Sequence, residues 1–155
     1  VVVVVLVLEI NETKGQATLK CPVKKLGTCS ADIGAVIELL KSEISRLFER
    51  KHNGKTFLDL VRKTYLKIIK SKGAADGDPI SIRELADAIA EKKKKDFRFE
   101  VFILDLSLIA GNGPLSVDGR SMEFQQTKDD RQGILLHGMD GRGMVGFVLF
   151  KETGK

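Results

Sequence analysis

The chain has 155 residues, 43% hydrophobic and 30% charged, which is enough to bury one core and excludes a disordered tail or a low-complexity fibre. Two cysteines, Cys21 and Cys29, cannot build a disulfide framework, and the longest apolar run, Val1 to Leu8, is too short to span a membrane. Net charge is +5, with the excess in the middle third: residues 51–100 carry 13 basic against 8 acidic side chains, residues 1–50 carry 7 against 6, and residues 101–155 carry 6 against 7.

These features predict a soluble, cytoplasmic protein with no membrane partner. Val1 to Leu8 has neither the basic n-region nor the cleavage site of a secretory signal. The missing initiator Met fits processing, a piece of a longer chain, or misassigned residues equally well. If the valines are genuine, a continuous β-branched run is what a strand buried on both faces looks like.

Val1 to Ile10 and Gln16 to Val23 read as two strands joined by Asn11-Glu12-Thr13-Lys14-Gly15, a loop suited to a β-hairpin. Asn11-Glu12-Thr13 also fits the N-glycosylation triplet, which has no meaning in a cytosolic protein. Ser30 is the expected N-cap of a first helix. There Ile33, Val36, Ile37, Leu40, Ile44, Leu47 and Phe48 recur at spacings of three and four, with Glu38, Lys41, Glu43 and Arg46 opposite. His52-Asn53-Gly54 closes it.

Thr56 is the expected cap of a second helix whose inner stripe is Leu58, Val61, Tyr65 and Ile68. Its outer side carries Arg62, Lys63, Lys67 and Lys70, and Gly73 ends it. A third helix should start at Ile82, because Ser81 and Glu84 have the spacing of a capping box and Ile80 and Leu85 that of a hydrophobic staple. It runs into Lys92-Lys93-Lys94-Lys95. Asp96 to Ala110 fits both periodicities, with alternating Phe97, Phe99, Val101 and Ile103 against a helical stripe of Phe97, Val101, Leu104 and Leu108. Gly111 and Pro114 at its end favour a helix.

Beyond Pro114 the pattern is β. Leu115 to Val117 and Arg120 to Phe124 flank Asp118-Gly119, and Ile134 to His137 and Met144 to Phe150 flank Asp140-Gly141, both strong hairpin turns. The first and last strands are each too apolar for an exposed edge, so they are expected to share one sheet.

Catalytic patterns are sparse. His52 and His137 stand outside any metal-ligand spacing, and Cys21 and Cys29 are too far apart in sequence for a zinc pair; no cofactor or metal is expected. Gly138-Met139-Asp140-Gly141-Arg142-Gly143 lacks the lysine of a phosphate-binding loop and precedes a strand, so it reads as a hairpin loop. Asp129-Asp130 reads as solvated loop, as do Lys128, Arg131 and Arg142. No nucleophile–base pair is visible, and a non-enzymatic protein is expected.

From Thr56 to Phe124 the order is helix, connector, capped helix, turn, apolar helix and tight hairpin. Asp78-Pro79-Ile80-Ser81-Ile82-Arg83-Glu84-Leu85-Ala86 opens the second of these helices, and Phe102-Ile103-Leu104-Asp105-Leu106 leads to Leu115-Ser116-Val117. This order resembles a winged-helix domain over residues 56–124, in which three helices form a helix-turn-helix core and the hairpin is the wing. The resemblance implies duplex DNA binding or protein docking. Lys92 to Lys95 would precede the recognition helix and Arg120 would lie on the wing. That helix carries Glu100 and Asp105 and only Arg98 as a cation, which favours docking, the use made of similar domains in kleisin-type and accessory subunits of chromosome-organising complexes.

The sequence therefore predicts an α+β protein forming a single domain over 1–155. A hairpin at 1–27, helices over 30–110 and hairpins over 114–150 are expected, with the terminal hairpins in one sheet. The expected function is nucleic-acid binding through phosphate contacts, to DNA in preference to RNA, by Lys63, Lys67, Lys70, Lys92, Lys93, Lys94, Lys95, Arg98 and Arg120. The alternative is a structural or adaptor subunit, as a homo-oligomer or within a larger assembly, docking through its apolar edge strands.

Overall fold

The computed structural model describes residues 6–21, 24–137 and 143–154, and its secondary structure is α+β. Where the sequence suggested one domain, the chain divides into two compact units, the first ending at His52 and the second starting at Asn53.

In the first unit, β1 (Val7–Asn11) and β2 (Gln16–Cys21) form the expected hairpin, paired from Val7 opposite Lys20 to Asn11 opposite Gln16. Val1 to Val5 lie outside the described residues. The turn is held by Asn11, whose Oδ1 accepts from the Lys14 N–H at 3.0 Å, and by Gly15 at φ 58°, where a side chain would be strained. A third strand, β3 (Lys24–Ser30), covers the other edge of β2. Ser30 therefore ends a strand, and Asp32 caps helix α1 (Ile33–Phe48), its Oδ1 accepting from the Ala35 N–H at 2.9 Å. The Ser30 hydroxyl donates to the same carboxylate, and with the Ala35 N–H it holds Asp32 below its ordinary pKa. α1 lies against β3, and an added Cβ on Gly27 would sit 2.8 Å from Leu39 Cδ1, so a glycine is what lets the helix approach.

In the second unit, α2 (Gly54–Lys72) is capped by Asn53 in place of Thr56: the Asn53 Oδ1 accepts from the Thr56 N–H at 3.0 Å. Gly73 terminates it in the left-handed conformation, as the sequence indicated. A two-residue strand β4 (Ile80–Ser81) leads into α3 (Ile82–Lys93), which starts where expected but without its capping box. The Ser81 side chain makes no cap bond, because Ser81 is held in β4 opposite Phe147 and Glu84 is drawn to Lys72 Nζ at 2.6 Å. A 3₁₀ turn (Lys94–Asp96) separates α3 from α4 (Phe99–Asn112), so the ambiguous segment is helical, ending at Gly113 instead of Gly111.

β5 (Ser116–Val117) and β6 (Arg120–Thr127) form the expected hairpin, with both turn residues, Asp118 and Gly119, at positive φ. β6 then pairs with β7 (Met144–Glu152) over its whole length. The expected strand at Ile134–His137 reduces to one bridge, Ile134 to Val145, and the Asp140-Gly141 turn lies outside the described residues.

The shared terminal sheet does not form among the described residues. Two antiparallel sheets are present, ordered β1-β2-β3 and β4-β7-β6-β5. β7 is flanked by β6 along one edge and, on the other, by β4 at Phe147 and Val148 and by Ile134 at Val145, so the apolar middle of this strand is interior. The core of the second unit joins Tyr65, Leu85, Ile89, Leu106, Ile109, Met122 and Phe150.

Candidate nucleic-acid interface

Lys63, Lys67 and Lys70 follow one another at spacings of four and three on α2 and so share a face. Lys92 and Lys93 end α3, and Lys94 and Lys95 open the 3₁₀ turn. All are exposed, and among the described residues none of them forms an ion pair. Lys63 and Lys67 of α2 and Lys92 of α3 line one shallow groove of about 320 Å³ with Thr64, Ala88 and Glu91. The groove exists because α2 packs on α3 and the small Ala88 leaves space between them. Thr64 donates its hydroxyl to Leu60 O at 2.8 Å, so the lysine ammonium groups are the donors free to take an anion. Glu91 is the one acid in this lining.

Lys93 and Arg98 go elsewhere, to the rim of a cavity of about 30 Å³ with Asp96, Asp105 and the rings of Phe57, Phe97 and Phe102. That volume holds roughly one water. Arg98 also stands 3.9 Å from Glu100, whose side chain is buried.

Arg120 belongs to the fold. Its Nε lies 3.1 Å from Asp76 Oδ2, its Nη1 donates to Phe150 O at 3.2 Å, and its Nη2 meets Glu152 Oε1 at 3.0 Å. A phosphate could reach it only by displacing those partners, so its expected place as a wing contact is corrected. The expected recognition helix is corrected as well. From Phe99 to Ala110 no α4 residue is exposed, so the helix has no face to lay in a groove of DNA. The composition explains why: apolar side chains run all round it, as in a core helix.

Arg62, expected among the exposed cations, is 5% exposed. Its two terminal nitrogens donate to the two oxygens of Asp76 at 2.7 and 2.6 Å, and the guanidinium lies 4.9 Å from the Phe150 ring centre and 5.6 Å from that of Tyr65. The Asp76 hydrogen bonds raise the Arg62 pKa against the opposing effect of burial. Tyr65 tethers the same loop, accepting from the Gly77 N–H at 2.9 Å and donating to Asp78 O at 2.8 Å. No spacing rule links Arg62 to Asp76 or to Arg120, so this network had no local signal in the sequence.

Among the described residues no group of three His, Cys, Asp or Glu is placed to hold a metal, and no helix is long and apolar enough to cross a membrane. No protein-family model matches the chain, and no curated protein or solved structure matches it significantly.

Proposed function

We propose that the unit from Asn53 onward is a winged-helix-like module that binds nucleic acid through the phosphate backbone, without reading sequence and without enzymatic activity, inside the cell. The observation that carries this reading is the set of exposed lysines free of acidic partners, three of them around one groove. Lysines in ion pairs, such as Lys72 with Glu84, would have to exchange one anion for another; Lys63, Lys67 and Lys92 release only counterions. The winged-helix comparison draws support from three helices, α2 to α4, followed by the tight β5–β6 hairpin in the wing position. With α4 buried, the helix expected to read base edges has no free face, which is why backbone binding is preferred to sequence readout.

Fluorescence anisotropy with labelled duplex DNA, single-stranded DNA and duplex RNA tests this on the full chain. Three phosphate contacts give a salt slope of about −2.7, or roughly 40-fold weaker binding between about 50 and 200 mM salt. Lys63→Ala, Lys67→Ala and Lys92→Ala combined should flatten the slope by about that amount, while Arg120→Ala leaves it unchanged. Binding insensitive to salt, or a triple variant with the original slope, refutes the reading.

A further inference from the structure

We propose that α1 is the seam of a homodimer, in which an apolar stripe of Ile33, Ile37, Ile44 and Phe48 packs antiparallel against the same stripe of a second copy. These four side chains are 80%, 43%, 46% and 48% exposed, far more than an ordinary helix leaves to water on one face. At about 100° per residue they fall within a sector of roughly 60°, beside the sector that Leu39 and Leu47 present inward. The apolar face of α1 is thus about twice as wide as the part its own sheet covers.

The spacing identifies the occupant. One midpoint, between Leu40 and Lys41, bisects both Ile33 with Phe48 and Ile37 with Ile44. A two-fold axis through that point sets Ile33 of one copy opposite Phe48 of the other and Ile37 opposite Ile44, and repeats both contacts by symmetry. An isologous interface demands such self-complementarity, and the stripe meets that demand.

The charges agree with the same axis. Lys41 borders the stripe and Glu38 lies behind it on the same rim, the two joined at 3.6 Å with side chains 70% and 78% exposed. The two-fold places each Lys41 about 3 Å along the helix direction from the level of the other copy's Glu38. The two Lys41 meet near the axis, each flanked by a Glu38 from either copy, so the four charges alternate in a ring. No ionic group within the stripe itself has to be desolvated. Four side chains with roughly 100 Å² exposed apiece cover about half of the ~800 Å² per partner of a standard interface, so the dimer should be a weak one that forms with rising concentration.

Sedimentation equilibrium of the full chain from about 1 to 100 µM tests the seam. The mass should rise from 17.1 kDa toward twice that value. Ile37→Asp combined with Ile44→Asp should hold it at one chain with an unchanged circular dichroism spectrum, since both positions are exposed in the isolated chain. Glu38→Lys should raise the dimer Kd about tenfold, and adding Lys41→Glu to it should restore the original value, because the ring then alternates again. These charge reversals lie outside the core and decide the matter even if the isoleucine variant fails to fold. A chain that stays at 17.1 kDa throughout, leaving the stripe to a different protein, overturns the proposal. So does a dimer indifferent to both sets of variants.

Discussion

Replacing Asp76 with Asn should destabilise the second unit by about 2–3 kcal/mol. Asp76 accepts both terminal nitrogens of Arg62, a side chain 6% exposed, and stands 3.1 Å from Arg120 Nε. Removing one partner of a buried ion pair typically costs about 3–5 kcal/mol, because the surviving charge is left without compensation. Asp76 is itself 31% exposed and Asn keeps one acceptor, so the lower figure applies. Urea unfolding of the full chain followed by circular dichroism would show it: at a slope of about 1.5 kcal/mol/M the midpoint falls by roughly 1.3–2 M. Arg62→Met in the Asp76→Asn background removes the stranded charge and leaves an apolar chain against Tyr65 and Phe150, so the double variant should lose less than the sum of the singles. The Arg62 hydrogen bonds, reinforced by the charges of Arg62 and Arg120, hold Asp76 below its ordinary value of 3.8 against the opposing effect of burial. The folded state then binds fewer protons than the unfolded state as pH falls, so this stabilisation is complete above about pH 5 and is lost through the lowered folded pKa. Asp76→Asn should remove that share of the acid sensitivity. A loss under about 0.5 kcal/mol, or strict additivity with Arg62→Met, would refute a coupled network.

The cap found at Asn53 and the cap expected at Ser81 should behave in opposite ways. Asn53→Ala should cost about 1 kcal/mol, whereas Ser81→Ala should move the urea midpoint hardly at all, because the Ser81 side chain makes no cap bond. Gly146→Ala should cost about 1–3 kcal/mol by overpacking, since its Cβ would stand 2.7 Å from Thr127 Cγ2 and 2.8 Å from Thr127 Cβ, and Thr127→Ser in the same chain should recover only part of the loss, because it removes the methyl and keeps the Cβ. Both comparisons are read by denaturant titration.

The α+β class, the helix over 82–93 and the hairpin across Asp118-Gly119 follow from local chemistry, because turn residues and periodicity act between near neighbours. Even the uncertain segment after Asp96 is resolved as a helix by its glycine and proline punctuation. The exposed lysines were likewise legible, since a run such as Lys92 to Lys95 has no apolar face to bury. Which of them would meet was not: Lys63 and Lys92 are 29 positions apart and share a groove only because α2 packs on α3.

What the sequence could not decide is how strands pair and which charges turn inward. The ends of the chain looked alike in hydrophobicity, yet β7 pairs with β4 and β6 from within the second unit and β2 takes β1 and β3. Hydrophobicity says that a strand must be covered and is silent on by what; hydrogen-bond register between distant segments answers that. The same holds for the cations. By spacing alone Arg62 belonged with Lys63 and Lys67, and Arg120 looked like a free turn residue. Asp76, brought between them by the loop after α2, compensates both guanidinium groups, and only that compensation makes burial of Arg62 tolerable. Local propensity determined the elements, and long-range complementarity determined which surfaces were left for function.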